Sequence, residues 1–178
     1  MYNLMIVLTS IFFMANPLII DFGQNKNANW FSVNDTVMGG RSQGNVSYSE
    51  NSLVFKGSVS FENNGGFASA RSSFGSYDLS EYETVTVRYK SDGQSLSLNL
   101  DYYRAWWYPN YKATLPATDG EWQSVTIALA DLKEYRVGRA TGNKISKSQL
   151  EQIIRLGLMT NDKKEGPFQA EIDFVKFN

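Results

Sequence analysis

Any reaction run by this chain has only carboxylates, lysines, tyrosines and serines to work with, because its 178 residues include no histidine and no cysteine. The commonest general base and transition-metal ligand is therefore missing. Thiol nucleophiles, disulfides and zinc-thiolate centres are excluded as well. A metal would have to be hard and oxygen-ligated, with calcium the first candidate. No G-x-S-x-G nucleophile turn is present. What remains for catalysis is a carboxylate pair such as Asp101 and Glu121, which could flank a glycosidic bond if the fold set them at the right separation. That carboxylate-based glycosidase or lyase is the third reading, and the chain is expected not to be an enzyme.

Binding chemistry is better supplied. In Asp101-Tyr102-Tyr103-Arg104-Ala105-Trp106-Trp107-Tyr108-Pro109, six of nine residues are aromatic or arginine. A strand cannot bury both faces of two adjacent ring pairs in one core, so some of these rings are expected at a strand end or loop, exposed. Exposed large aromatics are disproportionately recognition residues, for sugar C–H faces or for flat protein surfaces. Tyr102, Arg104, Trp106, Trp107 and Tyr108 are the expected binding residues, in preference to a simple hydrophobic lid. Arg136 and Arg139 flank Gly138 in what reads as a polar loop, equally suited to a partner's carboxylate or phosphate and to plain solvation.

Two Gly-Gly segments stand apart from this. Asn34-Asp35-Thr36-Val37-Met38-Gly39-Gly40 and Asn63-Asn64-Gly65-Gly66 each follow polar residues and precede a strand-like run. Each reads as a turn more readily than as a ligand loop, since Asx side chains bond nearby backbone N–H groups and Asn and Gly accept left-handed backbone. Val37 and Met38 are expected as core plugs beneath the first turn. The second segment could alternatively present N–H groups to an anion or sugar. Arg71 is expected to pair with Asp35 or Asp173 inside the domain.

The elements that must position these residues are mostly strands. Period-two alternation marks Leu18-Ile20-Phe22, Val46-Tyr48, Leu53-Phe55, Val85-Val87-Tyr89, Tyr111-Ala113-Leu115 and Phe168-Ala170-Ile172-Phe174. It is clearest at Leu96, Leu98, Leu100 and Tyr102, with Ser95, Ser97, Asn99 and Asp101 opposite. Trp30–Val33, Trp122–Leu129 and Leu156–Met159 are further short apolar runs, and Gly57 is expected to interrupt the run after Phe55. Turn signals lie at Ser91-Asp92-Gly93-Gln94 and Thr118-Asp119-Gly120-Glu121, and Asp162 to Pro167 reads as a charged hairpin loop. One helix is expected, from a Ser146/Gln149 capping box through Leu150, Ile153 and Ile154. Many strands with one late helix predict a single antiparallel β-sandwich, an all-β fold.

Leu4 to Ala15 is apolar apart from Thr9 and Ser10. That is too short for a membrane span, which needs about 20 residues, and suits a signal-peptide core. Residues 1–16 are thus expected to be a signal peptide and 17–178 a single domain, exported as a periplasmic, secreted or membrane-associated protein. A membrane contact is expected only if the segment is uncleaved. A hydrophobic content of 42% suffices for one core. A net charge of −1 with scattered Lys and Arg makes no electrostatic case for nucleic acid.

As a set, several blocks resemble the complex I intermediate-associated protein 30 family. They are Val33-Asn34-Asp35-Thr36-Val37-Met38-Gly39-Gly40-Arg41-Ser42, Glu62-Asn63-Asn64-Gly65-Gly66-Phe67-Ala68-Ser69, Tyr111-Lys112-Ala113-Thr114 with Gly120-Glu121-Trp122, Leu156-Gly157-Leu158-Met159, and Glu171-Ile172-Asp173. Val137-Gly138-Arg139 is similar to the family's R-G-R, with Val137 where arginine is usual. The resemblance covers about Pro17 to Asn178. It implies a jelly-roll sandwich of the galactose-binding-like type, with Arg71, Arg139 and the two Gly-Gly loops as family positions. It also implies a non-catalytic assembly factor or chaperone-like module that binds a protein partner. A secreted carbohydrate-binding module is the alternative, with a glycan as partner. No cofactor is expected. Modules of this type often hold a structural calcium near the first and last strands, where Asp21 and Asp173 could contribute, though no DxDxDG-type ligand run exists.

Overall fold

The computed structural model describes residues 16–23 and 29–178. The apolar segment read as a leader, Leu4 to Ala15, lies outside the described residues. The period-two runs form two antiparallel sheets packed face to face. One sheet orders β3 (Gln43–Tyr48), β4 (Leu53–Val59), β13 (Gly166–Phe177), β6 (Thr84–Asp92) and β9 (Gln123–Ala128), with β1 (Leu18–Asp21) also paired to β13. The other is seven-stranded. Its order is β11 (Arg139–Lys144), β10 (Lys133–Arg136), β8 (Asn110–Leu115), β7 (Leu96–Asp101), β12 (Arg155–Thr160), β5 (Ala68–Ser72) and β2 (Trp30–Asn34).

Alternation decides which side chains fill the space between the sheets. Leu96, Leu98 and Leu100 of β7 and Leu156 and Leu158 of β12 meet Leu53, Phe55, Val85, Val87, Tyr89 and Ile172 from the opposite sheet, all essentially without solvent contact. Each such burial stabilises the domain by about 1.5–3 kcal/mol. β13 keeps the alternation only as far as Ile172. A register shift between Ile172 and Phe174 then moves Phe174 off the core face, and Val175 and Phe177 take its place. The strand also begins at Gly166, so the Gly-Pro pair opens β13 rather than closing a loop. β4 runs unbroken through Gly57.

The expected helix shrinks to one turn, α1 (Lys147–Leu150), with Gln149 Oε1 accepting the Ser146 N–H at 2.8 Å. It stops there because the next residues are claimed elsewhere: Tyr77 N–H bonds Ile153 O and Gly75 N–H bonds Ile154 O. Such tertiary pairing overrides a helix too short to sustain itself. Arg136 and Arg139 lie not in a loop but at facing positions of a hairpin, β10–β11, whose Val137-Gly138 turn has both φ angles positive. Among the described residues no helix is long and apolar enough to cross a membrane.

Candidate functional site

The outward face of the seven-stranded sheet is polar because β7 alternates. Where Leu96, Leu98 and Leu100 point inward, Ser97, Asn99 and Asp101 point out. Those outward residues are nonetheless buried, which requires partners. Ser97 Oγ donates to Asn99 Oδ1 at 2.9 Å. Asp101 Oδ2 accepts Arg155 Nε at 2.7 Å and Arg155 Nη2 at 2.7 Å, from the register position beside it on β12. Arg71, one strand farther across, reaches the same oxygen at 3.5 Å. It crosses β12 at Gly157, which has no side chain to stand between them. Arg71 therefore pairs with Asp101, not with Asp35 or Asp173. Asp173 pairs instead with Arg88.

Lys112, on β8, completes this polar floor. Its ammonium meets the Met159 thioether at 3.7 Å and the face of Tyr135 at 5.2 Å. Burial and the nearby Arg71 pull its pKa below the ordinary lysine range, with Asp101 acting in the other direction. Asn110 Oδ1 is buried at the edge of the floor and meets no donor of the protein.

Walls rise on three sides to make a cleft of about 570 Å³. The β7–β8 connection supplies the rings. Tyr103 and Tyr108 stack at 4.6 Å between centroids, Trp106 and Trp107 meet edge to face at 5.9 Å, and a Tyr108 N–H to Ala105 O bond of 3.1 Å closes the turn. Trp106 is 55% exposed and Trp107 51%. Arg104 also lines the cleft and lies over Phe74, as does Arg155. Tyr102 departs from its expected place: it packs against the core, and Tyr103 takes the cleft side. The second wall is the Val137-Gly138 hairpin tip, tied to the first by Arg136 Nε donating to Trp107 O at 3.2 Å. Arg139 is exposed on this hairpin, outside the cleft lining.

The third wall comes from the two Gly-Gly loops. Asp35 is fully buried beneath them and accepts Ser42 N–H at 2.9 Å, Ser42 Oγ at 2.5 Å, Gly66 N–H at 2.6 Å and Phe67 N–H at 3.2 Å. Burial alone would raise its pKa; the bonds from Ser42, Gly66 and Phe67 outweigh that and hold it below the usual carboxylate range. The Asn63-Asn64-Gly65-Gly66 segment presents one backbone N–H, that of Gly66, to an anion, and the anion is the chain's own Asp35. Asn63 and Asn64 both take positive φ. Close approach explains the glycines at 40 and 65, where a Cβ would lie 2.4 Å from Asp35 Cγ and 2.6 Å from Asp35 Oδ2. Asn34 Nδ2 donates to Gly44 O at 3.1 Å. Val37 and Met38 are not core plugs: they stand 69% and 49% exposed and face the cleft, because the turn is anchored from below by Asp35 instead.

Other sequence candidates do not converge here. Asp101 sits at the register of Asn110, the first residue of β8, whereas Glu121 follows the last, Leu115. Glu121 sits in the connection held to β6 by the Gly120 N–H to Ser91 O bond of 3.0 Å, and it does not line the cleft that Asp101 lines. Asp21 Oδ1 accepts the Gly23 N–H, and Asp173 is held by Arg88. Among the described residues no three or more His, Cys, Asp or Glu side chains stand together at these two carboxylates. Lys112, Tyr103, Asn110, Arg155 and Met159 were not among the sequence candidates. The signal for Asn110 and Lys112 was the polar phase of alternation on β8; Arg155 and Met159 fall on the β12 phase opposite the core leucines.

The complex I intermediate-associated protein 30 family model matches residues 20–172, and the chain belongs to that family. No curated protein sequence matches the chain. Among solved structures it is similar to the family 11 carbohydrate-binding module of the cellulosomal cellulase Lic26A-Cel5E of Clostridium thermocellum. The TM-score is 0.60 at 14% identity, over 84% of this chain and 86% of that one. A family 11 carbohydrate-binding module from Clostridium thermocellum in complex with a β-1,3-1,4-mixed-linked tetrasaccharide gives 0.58 at 13% identity, over 84% of this chain and 88% of that one. The agarase AgWH50C gives 0.59 at 14% identity, over 92% of this chain but 25% of the enzyme. These likenesses establish the sandwich fold.

Proposed function

We propose that this member of the complex I intermediate-associated protein 30 family is a non-catalytic binding domain whose cleft takes a glycan chain laid across the outer face of the seven-stranded sheet. The observation that carries the reading is the cleft's composition: half-exposed rings at Tyr103, Trp106, Trp107 and Tyr108 over a floor of Arg71, Asp101, Asn110, Lys112 and Arg155. Rings stack on the C–H faces of a pyranose, and a hydrogen-bonding floor reads its hydroxyls. The carbohydrate-binding modules that share the fold support the reading by analogy. Export of the domain, with residues 1–16 removed, fits a ligand outside the cytoplasm. The test is a titration against a panel of oligosaccharides with and without calcium. Failure of every saccharide to bind removes the proposal.

A second reading follows from the family's description. The same rings, with Arg104, would dock a protein partner as an assembly factor or chaperone does. Pull-downs with wild type and the Trp106→Ala/Trp107→Ala variant test it, and identical partner profiles would count against this surface.

A further inference from the structure

The charges of the cleft are lopsided. Arg71, Arg104, Lys112 and Arg155 line it against a single carboxylate, Asp101. The whole chain carries a net charge of −1, so this is a local concentration of cations and not a general background. Asp101 is consumed by Arg71 and Arg155, whose side chains are 13% and 11% exposed. Lys112 is left facing a thioether and an aromatic ring, with no carboxylate within ion-pair distance among the described residues. Charges held in a partly dry groove act on an incoming anion far more strongly than they would in open water.

Resting on the glycan reading above, we infer that the ligand is acidic: a uronate-type glycan whose carboxylate is received by Lys112, backed by Arg71 and Arg155. An acidic peptide is the competing anion. The floor disfavours it, because β8, β7 and β12 are interior strands whose backbone groups are already bonded to neighbours on both sides. A peptide therefore finds no sheet edge to extend. The rings at Trp106 and Trp107 suit a stacked sugar ring instead. An arriving carboxylate would also offset the burial and the Arg71 repulsion that lower the Lys112 pKa.

The experiment is calorimetric titration of the domain with oligogalacturonate and oligomannuronate, with the carboxyl-reduced form of each, and with poly-L-glutamate. The acidic saccharides are expected to bind about tenfold or more tightly than their reduced forms. That preference should shrink as salt rises from about 50 mM to about 500 mM. Lys112→Met keeps the apolar stem, so it is expected to abolish the preference, with acidic and reduced saccharides then bound alike, while leaving the melting temperature unchanged. Equal binding of acidic and reduced forms, or an unaltered preference in Lys112→Met, overturns the inference and leaves the glycan reading standing. Binding of polyglutamate alone overturns it in favour of a protein ligand. No binding to any saccharide removes this inference together with the reading beneath it.

Discussion

The Asp35 carboxylate accepts the backbone N–H of Gly66 at 2.6 Å, across 31 positions of chain. One buried side chain thus joins both Gly-Gly loops and sets the wall that faces the tryptophans. Replacing it strands up to four donors, of which buried N–H groups cost about 1–3 kcal/mol each when unmatched. Asp35→Ala is expected to lower stability by about 3 kcal/mol or more in urea unfolding. A loss below about 1 kcal/mol would mean that the loops hold without it.

The same carboxyl makes stability depend on acidity. Its pKa is held below the usual value of 3.8 in the folded state. The folded protein therefore binds fewer protons than the unfolded chain, and the stabilisation is present above about pH 4 and fades as pH falls through the folded value. Asp35→Asn should flatten the melting temperature against pH in that acid window. A residual slope is expected from Asp78, Asp131 and Glu134, held low chiefly by hydrogen bonds from Ser80, Lys144 and Thr141. An unchanged slope would assign the whole acid dependence to those three.

Neighbouring glycines in the first loop should respond differently. Gly39 has φ +90 and open space around it, so Gly39→Ala meets only backbone strain, about 1 kcal/mol. At Gly40 the new methyl would lie 2.4 Å from the Asp35 carboxyl, and Gly40→Ala should cost about 3 kcal/mol. Equal losses in thermal unfolding would contradict the close-approach explanation.

Trp106 and Trp107 are half exposed, so removing them should hardly touch the fold. Trp106→Ala/Trp107→Ala is expected to change stability by less than about 1 kcal/mol while weakening the saccharide selected by titration at least about tenfold. A large loss of melting temperature with affinity intact would make the rings a lid rather than a contact surface.

Asp101 holds two guanidiniums in a nearly dry position. Asp101→Asn leaves Arg71 and Arg155 facing each other, and unfolding should become easier by about 3 kcal/mol. Denaturant midpoints indistinguishable from wild type would show that water or a rotamer change neutralises them.

The strands were legible where one face was apolar and the other polar. Leu96 to Asp101 announces both its core side and the floor of the cleft, and Leu18 to Asp21 is equally plain. β5 was announced only as a strand-like run after Gly66, because Ala68, Ser69, Ala70 and Ser72 are too small to print an alternation. β10 and β11 escaped because they hang at the sheet's edge with little to bury. The aromatic segment declared itself by composition, yet which of Tyr102 and Tyr103 faces outward depends on the turn closed at Ala105. The pairing of Arg71 with Asp101 was beyond reach, since it depends on β12 lying between β5 and β7 with Gly157 at the crossing, and sequence order does not reveal strand order.

Strand order within the six-stranded sheet has a consequence for how the chain is assembled. β3 pairs with β4, and β6 pairs with β9, but neither hairpin-like piece touches the other until β13 slides between them. The strand that arrives last in the chain is thus the keystone of the sheet, with direct partners up to 159 residues upstream, from Leu18 beside Phe177 to Lys56 and Asp92 beside Gln169. Contacts of such span fold slowly and late. Without the residues from Gly166 onward, the β3–β4 and β6–β9 pairs lack the strand that joins them within this sheet, so a truncation there splits the sheet in two.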